Sequence, residues 1–143
     1  MTAAALSRAF KVFIWEPAQF SLLAKAKVDG GWNDGGCAIL AEAVMAWLVP
    51  HEKRYVVFGR DAVQHALVRV GDWYIDGDGL SRRSTILKRW RWTERVADAG
   101  LLPDPIAQLT AGAGFPWNRR ASSELARRLK VAFPPQGVLR TIL

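Results

Sequence analysis

One cysteine, Cys37, and two histidines, His51 and His65, are all the thiol and imidazole groups in this 143-residue chain. A single cysteine excludes an intramolecular disulfide framework and fits a reducing compartment, and the three groups lack the spacing of a structural zinc site. Long apolar runs are also absent: none approaches the roughly 20 residues of a membrane-spanning helix. The first residues, Met1 to Arg8, lack a charged segment followed by an unbroken apolar core, so no signal peptide is expected. Internal repeats and low-complexity segments are missing. These absences describe a soluble protein, expected in the cytoplasm or exported without a cleavable signal, with no membrane association, no metal and no cofactor.

What is present suits one folded domain over residues 1–143: half of the residues are apolar and 23% are charged. The charge is unevenly placed. Residues 1–78 carry eight Lys/Arg against nine Asp/Glu, whereas residues 79–143 carry twelve against four, so the C-terminal half holds the whole excess behind the net +7. Within it, Arg82, Arg83, Lys88, Arg89 and Arg91 interleave with Trp90 and Trp92, a pattern that suits contact with nucleic acid or an acidic protein. The plainer reading, which we favour, makes the tryptophans core and the arginines a solvated rim.

The chain reads as α+β. Residues 4–15 suit a short helix, although Phe10 to Trp15 would equally suit a strand, and Pro17 interrupts them. A helix is expected over 18–28 with Phe20, Leu23 and Ala24 on one face. A turn with four glycines, Gly30-Gly31-Trp32-Asn33-Asp34-Gly35-Gly36, then runs into an amphipathic helix that Cys37 opens and Pro50 stops. Tyr55 to Gly59 has strand composition. Gly71-Asp72 reads as a two-residue hairpin turn between Gln64–Val70 and Trp73–Asp76, which fixes the register: Val70 faces Trp73 and Val68 faces Ile75. That register puts His65 opposite Asp78 and diagonal to Asp76. Beyond Gly79 we expect a helix from Thr93 to Ala99, loop from Leu101 to Trp117, a helix from Ser122 to Val131 capped by Ser122 or Ser123, and a last strand from Val138 to Leu143.

Cys37 is the leading candidate for chemistry. A lone cysteine is commonly a buried hydrophobe, but at a helix start the free N–H groups and the helix dipole favour a thiolate, and Gly35-Gly36 let a backbone approach a ligand. An imidazole working with it needs an acceptor on its far nitrogen, and the hairpin supplies Asp76 or Asp78 to His65. The Asp76-Gly-Asp78-Gly run lacks the further oxygens of a calcium loop. His51, at a helix end, reads as a dipole partner.

Gly35-Gly36-Cys37-Ala38 leading a helix, followed by His65-Ala66-Leu67-Val68-Arg69-Val70 and Trp73-Tyr74-Ile75-Asp76, resembles the papain-like cysteine peptidase superfamily in its broad sense. It looks closest to the branches with the order Cys, His, Asp: transglutaminase-like proteins, arylamine N-acetyltransferases and small bacterial or phage cysteine peptidases. The resemblance covers residues 30 to 80 and implies a papain-like fold, with a Cys-bearing helix packed on a small antiparallel sheet and a basic helical part over 81–143. It implies catalysis by Cys37, His65 and Asp76 with Asp78 auxiliary. Where papain-type peptidases carry an oxyanion-binding Gln, this chain has Gly31, so the role falls to Asn33 or to the indole N–H of Trp32. Trp32, Gly36 and Tyr74 would contact substrate. The expected function is a thiol-dependent hydrolase or acyl transferase acting on amide bonds of a peptide or protein. The alternative is a non-catalytic binding or inhibitory protein that docks through its basic half.

Overall fold

A computed structural model describes residues 1–143 as seven helices and a five-stranded antiparallel sheet, an α+β architecture. Helix α1 (Ala3–Trp15) is capped by Thr2, whose hydroxyl accepts the Ala5 N–H, and buries Leu6, Phe10 and Ile14 at helical spacing. This settles the helix-or-strand alternative for Phe10 to Trp15. Pro17 opens α2 (Pro17–Lys25), at the first helical position where its missing N–H costs nothing. The buried face of α2 is Gln19, Leu22 and Leu23 rather than one containing Phe20, which stays largely exposed.

Helix α3 (Cys37–Trp47) is apolar nearly all round because it is enclosed, packed between α6 (Arg119–Ala132) and the sheet. The sheet runs in the order β4-β3-β2-β1-β5, with β1 (Glu52–Gly59), β2 (Ala62–Val70), β3 (Trp73–Asp76), β4 (Gly79–Ser81) and β5 (Gly100–Pro103). The hairpin register is the expected one: Val70 pairs with Trp73, Arg69 with Tyr74 and Val68 with Ile75. Strand β3 stops at Asp76 and turns into β4, where Asp76 pairs with Gly79, so Asp78 never comes opposite His65.

Both faces of the sheet are covered. Ala66, Val68, Val70 and Ile75 join the main core beneath α1, α3 and α6, while Leu67 and Tyr74 on the opposite face join a smaller core of Val57, Ile86, Leu87, Trp90, Val96, Ala99 and Leu101. Helix α4 (Arg83–Lys88) runs into a π-helical turn over Arg89–Thr93, a local widening that often accompanies functional positions.

The C-terminal half differs most from the sequence expectations. Thr93 to Ala99 is not a helix: the helical segment precedes it, because Ile86, Leu87 and Trp90 supply the apolar stripe. The stretch 101–117 contains β5 and a short α5 (Gln108–Gly112). Asn118, not Ser122 or Ser123, caps α6 by accepting from the Ala121 N–H, while buried Ser122 donates to the Ile39 carbonyl. Residues 135–142 form α7 (Pro135–Ile142), begun by Pro135 and burying Val138 and Ile142 four residues apart, rather than a strand.

Candidate functional site

Trp32 and Asn33 tie the glycine-rich turn to the rest of the molecule, and Trp15 of α1 ties down the β3–β4 turn beside it. Trp32 is fully buried, and its indole N–H donates to the Ile14 carbonyl at 2.7 Å. Trp15 donates to the Gly77 carbonyl at 2.7 Å. Asn33 accepts the Gly77 N–H at 3.0 Å and donates to Asp78 at 3.1 Å. Together they fix the approach to α3 against the β3–β4 turn. Gly36 is required by packing: a Cβ there would lie 2.8 Å from Leu23 Cδ2 and 2.9 Å from the Gly31 carbonyl oxygen.

At the end of that turn, Gly36 caps α3 without offering a side-chain acceptor. The N–H groups of the first helical turn, Cys37 and Ala38 among them, are therefore free of any side-chain cap. Strand β3 pairs with β2 only from Val68 to Val70, leaving the β2 segment that carries His65 without a partner on that side. There the imidazole meets Asp76: Nε2 lies 2.8 Å from Oδ2, with both side chains almost fully buried. His65 Nδ1 has no hydrogen-bond partner. Cys37 approaches the imidazole closely enough to raise its pKa, although no hydrogen bond of ordinary geometry reaches Nδ1. With Nε2 engaged, Nδ1 is the nitrogen left for the thiol.

Burial by itself pushes the His65 pKa down, but Asp76 and Cys37 outweigh it, and the imidazole is raised from 6.5 to about 9. Burial likewise pushes the Asp76 carboxyl up, and the charges and hydrogen bonds of His65 and Arg89 overcome this to hold it well below the usual carboxylate range. His65 and Asp76 thus form a buried ion pair at neutral pH.

The arrangement brings Cys37, His65 and Asp76 together and separates the other expected residues. Asp78 takes Arg89 and Asn33 and leaves His65 to Asp76. Asn33 is committed to the β3–β4 turn through both ends of its amide, Trp32 is a core residue with its N–H occupied, and Gly36 serves packing. Tyr74 lies on the second core, edge-on to Tyr55 at 5.5 Å between ring centroids.

Two residues at the site were not visible as such from sequence. Arg89 donates to Asp76 Oδ2 at 2.8 Å, the oxygen that also holds His65, and bridges to Asp78. Trp90 covers the imidazole with ring centroids 5.3 Å apart. Both lie in the basic run, where the favoured reading put Trp90 in the core and Arg89 on a solvated rim. Trp90 is buried, whereas Trp92 is 77% exposed, contrary to its expected place in the core. Nor do the five basic residues act as one patch: Arg89 faces inward, Arg91 donates to the Ala99 carbonyl, and Arg82 stacks on Trp73 at 4.0 Å.

Cys37 is 3% exposed, and neither it nor His65 lines the main surface clefts. No three His, Cys, Asp or Glu side chains converge to hold a metal ion, and no helix is long and apolar enough to cross a membrane. No family model matches the sequence, and neither a curated protein nor a solved structure is similar to the chain.

Proposed function

We propose that this chain is a thiol-dependent hydrolase or acyl transferase acting on amide bonds, with Cys37 as nucleophile, His65 as acid and base, and Asp76 as the group that orients His65. The observation that carries the reading is the division of labour on one imidazole: Nε2 is fixed by a buried carboxylate, Nδ1 is unpaired, and the only thiol in the protein is near enough to act on the ring. Its order of residues is that of the papain-like branches it resembles.

In this mechanism His65 takes the Cys37 proton as the sulfur attacks, or holds it beforehand in an ion pair with the thiolate. Sγ adds to the substrate carbonyl, and the free N–H groups at the start of α3 receive the oxyanion in place of the Asn33 amide. Collapse of the adduct breaks the C–N bond, His65 gives its proton to the departing amine, and a thioester remains. Water or a second amine, deprotonated by His65, attacks the thioester and releases Cys37. Because the thiol is buried, substrate gains access only when the cover over the site moves aside.

That burial also favours the second reading, a binding or inhibitory protein that keeps the arrangement without turnover. Incubation with a small activated ester separates the two. Acylation of Cys37 seen by intact mass spectrometry, lost in His65→Ala while the fold persists by circular dichroism, supports catalysis. A Cys37 that neither acylates nor alkylates faster than free cysteine at neutral pH, with no change in His65→Ala, rejects it.

A further inference from the structure

A cleft of about 550 Å³, separate from the thiol, opens where the second face of the sheet passes beyond α4. Its lining includes Tyr55, Arg69, Asp72, Tyr74, Arg82 and Arg83. Two guanidinium groups, Arg69 and Arg82, approach one carboxylate there, and Arg83 lines the same cleft. Arg69 is held in place, donating to the Gly71 carbonyl at 2.7 Å and the Tyr55 hydroxyl at 3.2 Å and lying over both tyrosine rings. Arg82 rests on the face of Trp73 at 4.0 Å. Between these two sits Asp72, only loosely paired at 4.0 Å from Arg69 and 3.8 Å from Arg82, and itself 81% exposed.

We infer that this cleft is a recognition site for a carboxylate side chain of an acidic peptide segment, and that Asp72 is a built-in competitor for it. A guanidinium fork grips a carboxylate at about 2.7–2.9 Å, and both Asp72 pairs are well beyond that, so the two arginines are preorganised but unfilled. Their aromatic supports fix them in advance, which reduces the ordering cost of binding. Leu101 and Pro103 of β5 add an apolar wall for a neighbouring side chain.

The features of a nucleic-acid site are missing from the cleft. Tyr74 is buried, Arg82 covers one face of Trp73, and Trp92, which is exposed, does not line the cleft. This inference is independent of the reaction proposed for Cys37 and stands or falls without it.

The test is fluorescence anisotropy of the full chain with a labelled Glu-rich decapeptide, its Gln counterpart and a single-stranded oligonucleotide, at low and physiological salt. The Glu peptide should bind and the Gln peptide should not. Asp72→Asn should tighten Glu-peptide binding several-fold, and the double variant Arg82→Glu/Arg83→Glu should weaken it at least tenfold with an unchanged melting temperature. A control with the same change in charge at the start of α6, Arg119→Glu/Arg120→Glu, should weaken it less than twofold at physiological salt, where distant charges are screened. Equal losses in the two double variants, no effect of Asp72→Asn, tighter binding of the oligonucleotide, or no peptide binding at low salt would each overturn the inference. If the Arg82/Arg83 variant melts early, the Asp72→Asn and Gln-peptide results decide the question alone.

Discussion

His65 and Arg89 share one oxygen of Asp76, each 2.8 Å from Oδ2. The buried Asp76 carboxylate therefore faces two cations, with Asp78 sharing Arg89, and the members of this network cannot be changed singly without weakening the compensation of another buried charge. The consequences can be measured.

Asp76→Asn removes the anion on which both cations depend. The His65 pKa should fall from about 9 to below 6.5, because burial then acts on it with only Cys37 in opposition. Breaking a buried pair in this way costs about 3–5 kcal/mol. Imidazole titration by NMR and urea unfolding at pH 7 check the two halves of this prediction.

Arg89→Gln acts on the imidazole in the opposite direction. Arg89 is a cation competing for the same carboxylate, so without it Asp76 attracts the His65 proton more strongly and the His65 pKa should rise above its value in the unmodified chain. Folding should still weaken by about 1–3 kcal/mol, since buried carboxylate oxygens lose donors. A fall in the His65 pKa in this variant would show that Arg89 acts on something other than Asp76.

The pair also sets a pH profile for stability. The folded His65 pKa lies above the unfolded value of 6.5, so its contribution is fully present below 6.5 and is lost as pH rises through about 9. The folded Asp76 pKa lies below 3.8, so its contribution is present above that value and is lost as pH falls. Stability from the pair should be flat between about pH 4 and 6.5 and decline on either side, with the alkaline decline on the order of 3 kcal/mol. Denaturant unfolding across that range should show the alkaline decline in the unmodified chain and a much shallower one in His65→Asn.

Gly36→Ala tests the close packing at the start of α3. The added methyl meets Leu23, which can turn, and the Gly31 carbonyl, which belongs to the backbone and cannot move without pulling the loop. Overpacking of this kind costs about 1–3 kcal/mol, read as a fall in thermal midpoint.

The hairpin and the Cys37 helix were legible in the sequence because each is specified locally: a two-residue turn fixes the register, and a glycine run followed by an apolar segment marks a helix start. The identity of the acid was not. A continued hairpin would have set Asp78 opposite His65, but β3 leaves β2 after Ile75, and that departure depends on Asn33 and Trp15 holding Gly77 from elsewhere in the chain. Arg89 was hidden for the same reason: an arginine in a basic run reads as solvated until the second face of the sheet is known to be covered, whereas Trp90 lies in the core as expected. The α7 helix was misread because Val138 and Leu139 suit a strand locally, and only the spacing of Val138 and Ile142 against the core decides otherwise.

The polar ties among Trp15, Asn33 and Gly77 have a further consequence, for the order in which the molecule comes into being. The thiol is synthesised early, its imidazole and carboxylate later, and the arginine that completes the network last of all. On the ribosome, Cys37 emerges as an ordinary thiol with nothing to pair with, and the β3–β4 turn that would hold its partners does not yet exist. The residues proposed for chemistry come together only once a chain extending past residue 90 has joined its helical layer to its sheet, and α3 gains its packing partner α6 later still.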